Sequence, residues 1–253
     1  MFTLGCDRAY LYGHPERELT VDEDSRYQQA LAQRANGLPA QYITSHQEFW
    51  GLDFFVSPKV LIPRPETEHL IERVLELAKA PRLAARPRIV DVGTGSGCIA
   101  VALAKELPHA EIHATEISSD ALDIARENAA RNGLRDRIFF HETDLLAAIE
   151  DNVFDVVVSN PPYVGLSEED QVQLEVRKFE PRNAVFAGDS GMDVIQRLVP
   201  QAYRVLKPGG WLVMEISGTI VEAAKQSVEN WQNVQVLPDL QSIPRVLSAQ
   251  KLS

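Results

Sequence analysis

Three glycines at alternate positions, Gly93, Gly95 and Gly97, stand between an apolar run ending in an acid and a series of small apolar residues, RIVDVGTGSGCIAVALA over Arg88–Ala104. No other stretch restricts the fold so tightly. Ile89 and Val90 read as a buried parallel strand, the glycines let the backbone turn sharply and approach a ligand where a Cβ would collide, and Ile99–Ala104 reads as the following helix. Strand, glycine loop and helix N-terminus together make a cradle for a nucleotide-like ligand at the carboxyl edge of a sheet. A dinucleotide fold requires G-x-G-x-x-G/A, but here the order is G-x-G-x-G and Cys98 holds the third dinucleotide place, which weakens an NAD reading. The next expected strand, Glu111–Thr115, ends at Glu116, whose carboxylate can accept hydrogen bonds from both ribose hydroxyls of an adenosine. Other nucleotide folds and a merely structural turn stay open at this stage.

With 253 residues, 45% of them hydrophobic and 24% charged, the chain can build one sizeable core and an appendage. No run approaches the roughly 18 apolar residues of a membrane span, and the first residues lack a basic region followed by an apolar core, so no membrane association and a cytoplasmic location are expected. Cys6 and Cys98 are far apart and lack metal-ligand spacing, which points to two reduced thiols. The six histidines, His46, His69, His109 and His141 among them, show no metal spacing either, so no metal is expected. A net charge of −11 argues against direct nucleic-acid binding, which draws its affinity from clustered Lys and Arg.

Residues 1–47 read as a helical appendage: Thr20 is an N-cap with Glu23 at the capping-box distance, for a helix to about Ala35 that Asn36, Gly37 and Pro39 stop. Phe49–Val60, broken at Gly51, suggests a hairpin. Leu61–Ala80 has Pro65 near its start, Glu66 and Glu68 in the first turn and an apolar stripe of Leu70, Ile71, Val74, Leu75 and Ala78, the marks of a helix. Pro81–Pro87 is a connector. Beyond the glycine loop the pattern alternates: helix 118–132, strand 137–142 with Asp144 at its end, strand Phe154–Ser159, helix 192–206, a tight turn at Lys207–Gly210, strand 211–216, helix 219–230 and strands near 234–237 and 245–249. Such alternation means a parallel sheet.

Strand Phe154–Ser159 runs straight into Asn160-Pro161-Pro162-Tyr163, on the same crevice side as the glycine loop. The prolines stiffen the backbone and lack N–H groups. The Asn160 side-chain oxygen and the Pro161 carbonyl can then accept from one planar –NH2 group, with Tyr163 stacked on the plane. The bland alternative is a proline-rich turn leaving a strand. Trp50 and Phe54 either flank the ligand or fill the hairpin core, and Glu168–Asp170 reads as a solvated helix start or lid.

DVGTGSG, Glu116, Asp144 and NPPY together resemble a class I S-adenosylmethionine-dependent methyltransferase acting on a planar nitrogen. QYITSHQEFWGLDFFVSPKVLIPRPETE, FEPRNAVFAGDSGMDVI, KPGGWLVMEI and IPRVLSAQ, in that order, narrow the resemblance to the HemK/PrmC-type peptide chain release factor glutamine methyltransferases over nearly the full length. The resemblance implies an α/β fold with a doubly wound, mostly parallel seven-stranded, Rossmann-like sheet, a small helical N-terminal appendage and a linking β-hairpin. Residues 1–47 would be the substrate-docking region, shorter than usual in the family by a couple of helices, 48–62 the hairpin linker and 63–253 the methyltransferase domain. S-adenosylmethionine would be bound by Gly93, Thr94, Gly95, Ser96, Gly97, Glu116, Asp144, Leu145 and Asn160, leaving as S-adenosylhomocysteine. Asn160, Pro161, Pro162 and Tyr163 would bind the substrate amide, with Asn160, Pro161 and Tyr163 catalytic, and the IPRPETE segment suggests that Arg64 and Glu66 line the cofactor cleft, against simple helix capping. The implied reaction is methylation, by a monomer, of the glutamine side-chain nitrogen in a release factor's Gly-Gly-Gln loop. Ser45 stands where many relatives have glycine, Glu116 where aspartate is commoner, and Leu145 where an aromatic residue often lies. A ribosomal-protein glutamine, an adenine amino group of nucleic acid and a non-catalytic binding module are the alternatives.

Overall fold

Thr20 caps a helix as its spacing from Glu23 predicts: its hydroxyl accepts the Glu23 N–H at 3.3 Å, and the Glu23 carboxylate accepts the Thr20 N–H at 2.9 Å. In the computed structural model, which describes residues 1–79 and 83–253, this helix is α2 (Val21–Ala35), preceded by α1 (Arg8–Gly13) and followed by α3 (Ala40–Thr44). Neither α1 nor α2 buries a residue. The appendage is held through Tyr42, whose buried ring joins Val56, Val60, Ile62, Ala121 and Ile124 and whose hydroxyl donates to the Val60 carbonyl at 2.6 Å.

The hairpin consists of β1 (Gln47–Phe49) and β2 (Leu52–Phe54). Its turn residues Trp50 and Gly51 both have positive φ, +54° and +64°, the combination that matches the twist of a two-residue hairpin. It starts one residue before the expected linker and ends well short of Val60, because Pro58 and the residues around it run on as irregular chain. The helix expected from Leu61 starts late as well. Arg64, ahead of Pro65, is extended at φ −102°, ψ 145°, as the pre-proline clash requires, so a 3₁₀ turn at Pro65–Thr67 leads into α4 (Glu68–Lys79). The expected helix end at Ala80 and the connector's start at Pro81 lie outside the described residues.

From there the elements are β3 (Arg88–Val92), α5 (Cys98–Glu106), β4 (Glu111–Glu116), α6 (Ser119–Arg131), β5 (Ile138–Glu142), β6 (Phe154–Ser159), α7 (Leu174–Phe179), α8 (Arg182–Val185), α9 (Asp193–Val205), β7 (Leu206–Glu215), α10 (Val221–Ser227), β8 (Gln232–Pro238) and β9 (Pro244–Gln250), the expected alternation with the short helices α7 and α8 added to it. The seven-stranded sheet has the order β5-β4-β3-β6-β7-β9-β8. Its first five strands are parallel, while β9 pairs antiparallel with both β7 and β8.

Alternate side chains of the central strands feed two apolar layers. Ile89, Val156, Val158 and Val213 face α4 and α5, whereas Val90, Val92, Val157 and Leu212 face α9. Each such burial contributes about 1.5–3 kcal/mol, more than the helix-propensity differences of under about 1 kcal/mol per residue. Packing therefore holds Ile99 and Val101 in a helix despite their branching.

The tight turn expected at Lys207–Gly210 is instead an irregularity inside β7. Phe154 pairs with Leu206 and Val156 with Trp211, so four residues of β7 stand opposite the single Asp155 of β6, with Gly209 at φ +76°. Among the described residues no helix is long and apolar enough to cross a membrane.

Candidate active site

From β3 the chain steps outward to β4 and β5, then returns to β6 on the other side of β3. Such a reversal leaves a crevice outside the carboxyl ends of the two strands. In the register Val92 lies opposite Ser159, and the Ser159 hydroxyl donates to the Val92 carbonyl at 2.8 Å. The next residues are Gly93 and Asn160, so the glycine loop and NPPY leave neighbouring strand tips.

The glycine loop is tied down from behind. Gly93 and Thr94 both donate their N–H groups to the Thr115 carbonyl, at 2.9 and 3.0 Å. The buried Asp91 accepts from the Thr94 hydroxyl at 2.6 Å and from the Ala100 N–H at 3.2 Å, joining strand, loop and helix. Burial pushes the Asp91 carboxyl up to about 7, against the pull of those two hydrogen bonds. Asn128 donates to the Ser96 carbonyl at 2.8 Å and exchanges hydrogen bonds with the Phe55 backbone, clamping the loop to the linker.

A cleft of about 380 Å³ opens between the tips, within the usual range for small-molecule sites. Of the expected ligand-binding residues, Gly93, Gly95, Glu116, Asp144, Leu145 and Asn160 line it, as do Pro161 and Pro162. Thr94 and Ser96 are buried and Gly97 is turned against α6, and the cleft lining does not include these three. A Cβ on Gly93 would meet no atom within 4 Å; the space beside that backbone belongs to the cleft, a cradle that a side chain would fill.

Glu116 holds the rim. Its carboxylate accepts N–H bonds from Gly95 at 3.0 Å, Ile117 at 2.9 Å and Ser118 at 3.0 Å, which fixes it while leaving acceptor capacity. Asp144 is paired with Arg197, another cleft residue. Leu145 covers one wall in a left-handed conformation, φ +51°, which costs an L-residue about 1–2 kcal/mol.

NPPY is positioned by a polar relay whose middle members, Thr67 and Glu215, are buried. The Asn160 Nδ2 donates to the Thr67 hydroxyl oxygen at 3.0 Å, that hydroxyl donates to Glu215 Oε2 at 2.7 Å, and the Tyr163 hydroxyl donates to Glu215 Oε1 at 2.9 Å. Tyr163 lines an adjoining cavity of about 150 Å³ instead of the larger cleft, sharing Asn160, Pro161 and Pro162 with it. Burial pushes the Glu215 carboxyl above its ordinary range, opposed by the Thr67 and Tyr163 hydroxyls and by the charge of Arg245.

Thr67, Glu215 and Asn128 escaped the sequence reading. For Glu215 the signal was present: like Glu116, it is an acid closing an apolar strand. Arg64 lines the smaller cavity and is paired with Glu180, whose carboxylate also accepts the Ile62 N–H at 3.2 Å. Glu66 lines neither cavity. Phe54 is core, and Trp50 packs beside it, its indole N–H donating to Glu106 at 3.1 Å. The acidic run after NPPY is a 3₁₀ helix, Leu166–Gln171, in which Glu169 pairs with Arg182. His141 lies 2.9 Å from the ring nitrogen of the buried His113, which also meets Glu111 at 2.8 Å; neither histidine lines the cleft. Among the described residues no three His, Cys, Asp or Glu side chains converge as a metal group.

Taken together, a rim carboxylate, an open glycine cradle and a leucine wall suit an adenosine, and an oriented amide oxygen at the neighbouring tip suits an –NH2 donor. Family models match twice: the PrmC N-terminal domain over residues 1–44 and the methyltransferase small domain over residues 69–178. A release factor glutamine methyltransferase of Koribacter versatilis is 58% identical across 99% of this chain and 88% of its own. One from Geobacter sulfurreducens is 45% identical across 84% of this chain and 72% of its own. Among solved structures, a 16S rRNA methyltransferase of Thermus thermophilus in complex with AdoMet and guanosine superposes with a TM-score of 0.61 at 22% identity, over 81% of this chain and 49% of that one, a likeness of fold.

Proposed function

The chain belongs to the release factor glutamine methyltransferases, and from that membership we propose that Asn160 and the Pro161 carbonyl hold the glutamine side-chain amide of a release factor's Gly-Gly-Gln motif for methylation. The protein is an S-adenosylmethionine-dependent methyltransferase. The observation that carries the site assignment is the register of Val92 with Ser159, which brings the glycine loop and NPPY to one crevice.

When bound, S-adenosylmethionine supplies an electrophilic methyl group on a sulfonium sulfur. Gly93 and Gly95 would admit it by backbone approach, Glu116 would accept from its ribose hydroxyls, and Leu145 would cover its adenine. The Asn160 side-chain oxygen and the Pro161 carbonyl accept the two N–H bonds of the substrate amide. Those bonds draw density onto a nitrogen otherwise delocalised into its carbonyl and aim its lone pair, so catalysis rests on positioning and electrostatics. One amide proton leaves to water after transfer. The Tyr163 ring flanks the amide from the adjoining cavity.

Residues 1–47 serve as the substrate-docking region, 48–62 as the linker and 63–253 as the catalytic domain of a cytoplasmic monomer. Support for docking comes from apolar side chains left exposed on the first helices, Tyr12 at 83% and Val21 at 87%. Labelled S-adenosylmethionine offered with a release factor, a ribosomal protein and DNA tests the proposal. Mass spectrometry is expected to find the label on the Gly-Gly-Gln glutamine; label on DNA alone, or on the ribosomal protein alone, overturns it.

A further inference from the structure

Asn160 is useful only with its oxygen, not its nitrogen, toward the substrate, and nothing within NPPY decides which way the amide faces. The decision is made two residues away in the hydrogen-bond chain. Glu215 only accepts in its carboxylate form, the form that the Thr67 and Tyr163 hydroxyls and the charge of Arg245 favour against its burial, and a hydroxyl has one hydrogen. The Thr67 hydrogen is committed to Glu215 Oε2 at 2.7 Å, so the Thr67 oxygen can meet Asn160 only as an acceptor, and it receives Nδ2 at 3.0 Å. A flipped Asn160 would set two acceptor oxygens against each other beside the buried Thr67, losing a hydrogen bond and adding repulsion. Glu215, 1% exposed, is held on its other oxygen by Tyr163 at 2.9 Å.

We infer that Thr67 and Glu215 are positioning residues that lock the Asn160 amide with its oxygen toward the cleft, so that the site selects an –NH2 donor and rejects an acceptor-only group of the same shape. Glutamine is thereby told from glutamate by a carboxylate that never touches the substrate. The inference rests on the reading that Asn160 holds the substrate amide.

The test compares Thr67→Val, Thr67→Ser, Glu215→Gln and Asn160→Ala for three quantities: kcat with a release factor, equilibrium affinity for S-adenosylmethionine, and inhibition by the same release factor carrying Glu in place of the motif Gln. Thr67→Val is expected to lower kcat by about 10- to 30-fold, the worth of one oriented hydrogen bond, while cofactor affinity stays within about threefold. Its preference for the Gln over the Glu form is expected to shrink by about tenfold, since the freed amide can now turn its nitrogen inward. Thr67→Ser, which keeps the hydroxyl, restores both. Glu215→Gln, whose amide can donate to Thr67 and reverse the chain, repeats the Thr67→Val result. Wild-type kcat and selectivity in Thr67→Val overturn the inference, as does an equal loss of kcat and cofactor affinity with selectivity intact, which marks a structural role. Should Asn160→Ala retain full activity, the reading of Asn160 itself fails; inactivity of Asn160→Ala beside an unimpaired Thr67→Val sinks the positioning role alone.

Discussion

A Cβ built on Gly97 would lie 3.1 Å from both the Cα and the Cβ of Ala125, so α5 and α6 touch backbone to backbone at the base of the glycine loop. Gly93, four residues earlier, has the opposite surroundings: open space on the cleft side. Gly97→Ala is expected to lower stability by about 2–4 kcal/mol through left-handed strain and overpacking. Gly93→Ala should cost only about 1 kcal/mol in strain yet weaken cofactor binding at least about tenfold, since one displaced contact of roughly 1.4 kcal/mol is worth that factor. Urea unfolding and calorimetric titration of the two variants separate these effects, and equal stability losses would contradict the assignment.

The Asp91 carboxyl sits at about 7 through burial. Because its folded value lies above the unfolded one of about 3.9, the proton is held more tightly in the folded protein. Its stabilising share is complete below about pH 4 and is lost as pH rises through about 7. Asp91→Asn keeps an oxygen for Thr94 and Ala100 but does not titrate. Between pH 4.5 and 8 the stability of the wild type relative to this variant should fall by an amount on the order of 3 kcal/mol. A pH-independent difference in urea midpoints would refute it.

Burial, with the nearby charge of Asp91, pushes the Cys98 thiol up to about 12, while Cys6 is partly exposed. Thiolate is the reacting form. Ellman's reagent at pH 8 should therefore titrate one thiol per native chain and two after denaturation, and peptide mapping should identify the first as Cys6.

Arg64 stands 32% exposed over the Glu180 carboxylate, whose side chain is only 1% exposed. Removing the arginine strands a buried charge, which costs about 3 kcal/mol in comparable pairs. Arg64→Met should be strongly destabilising, and Glu180→Gln added to it should recover most of the loss. A double-mutant cycle in urea gives the coupling, and additive effects would show that the pair is not coupled.

Ser45 ends α3 in a left-handed conformation at φ +55°, a place glycine occupies without strain. Ser45→Gly should raise stability by about 1 kcal/mol, read as a higher melting temperature with methyl transfer unchanged.

Elements with a strong local signal were legible in the residues. The Thr20–Glu23 capping box, the strand–glycine–helix order around Gly93 and the buried strand before Asn160 all depend on neighbours within a few positions. Weak local signals misled: Lys207–Gly210 has the composition of a turn, yet strand pairing on either side absorbs it as an irregularity in β7. Within the DVGTGSG stretch, spacing could not tell that Gly93 and Gly95 face the cleft while Thr94, Ser96 and Gly97 serve packing behind it. That split depends on α6, which arrives more than twenty residues later.

Side-chain periodicity and turn chemistry act over a handful of residues, so the order of strands and helices and the presence of both loops were already determined in the linear chain. Strand order and register act across the whole molecule. Only they set Gly93 beside Asn160, brought Thr67 and Glu215 from distant segments to the back of NPPY, and paired Asp144 with Arg197. A buried polar group must find a partner wherever the fold supplies one, and no local pattern records which partner that will be.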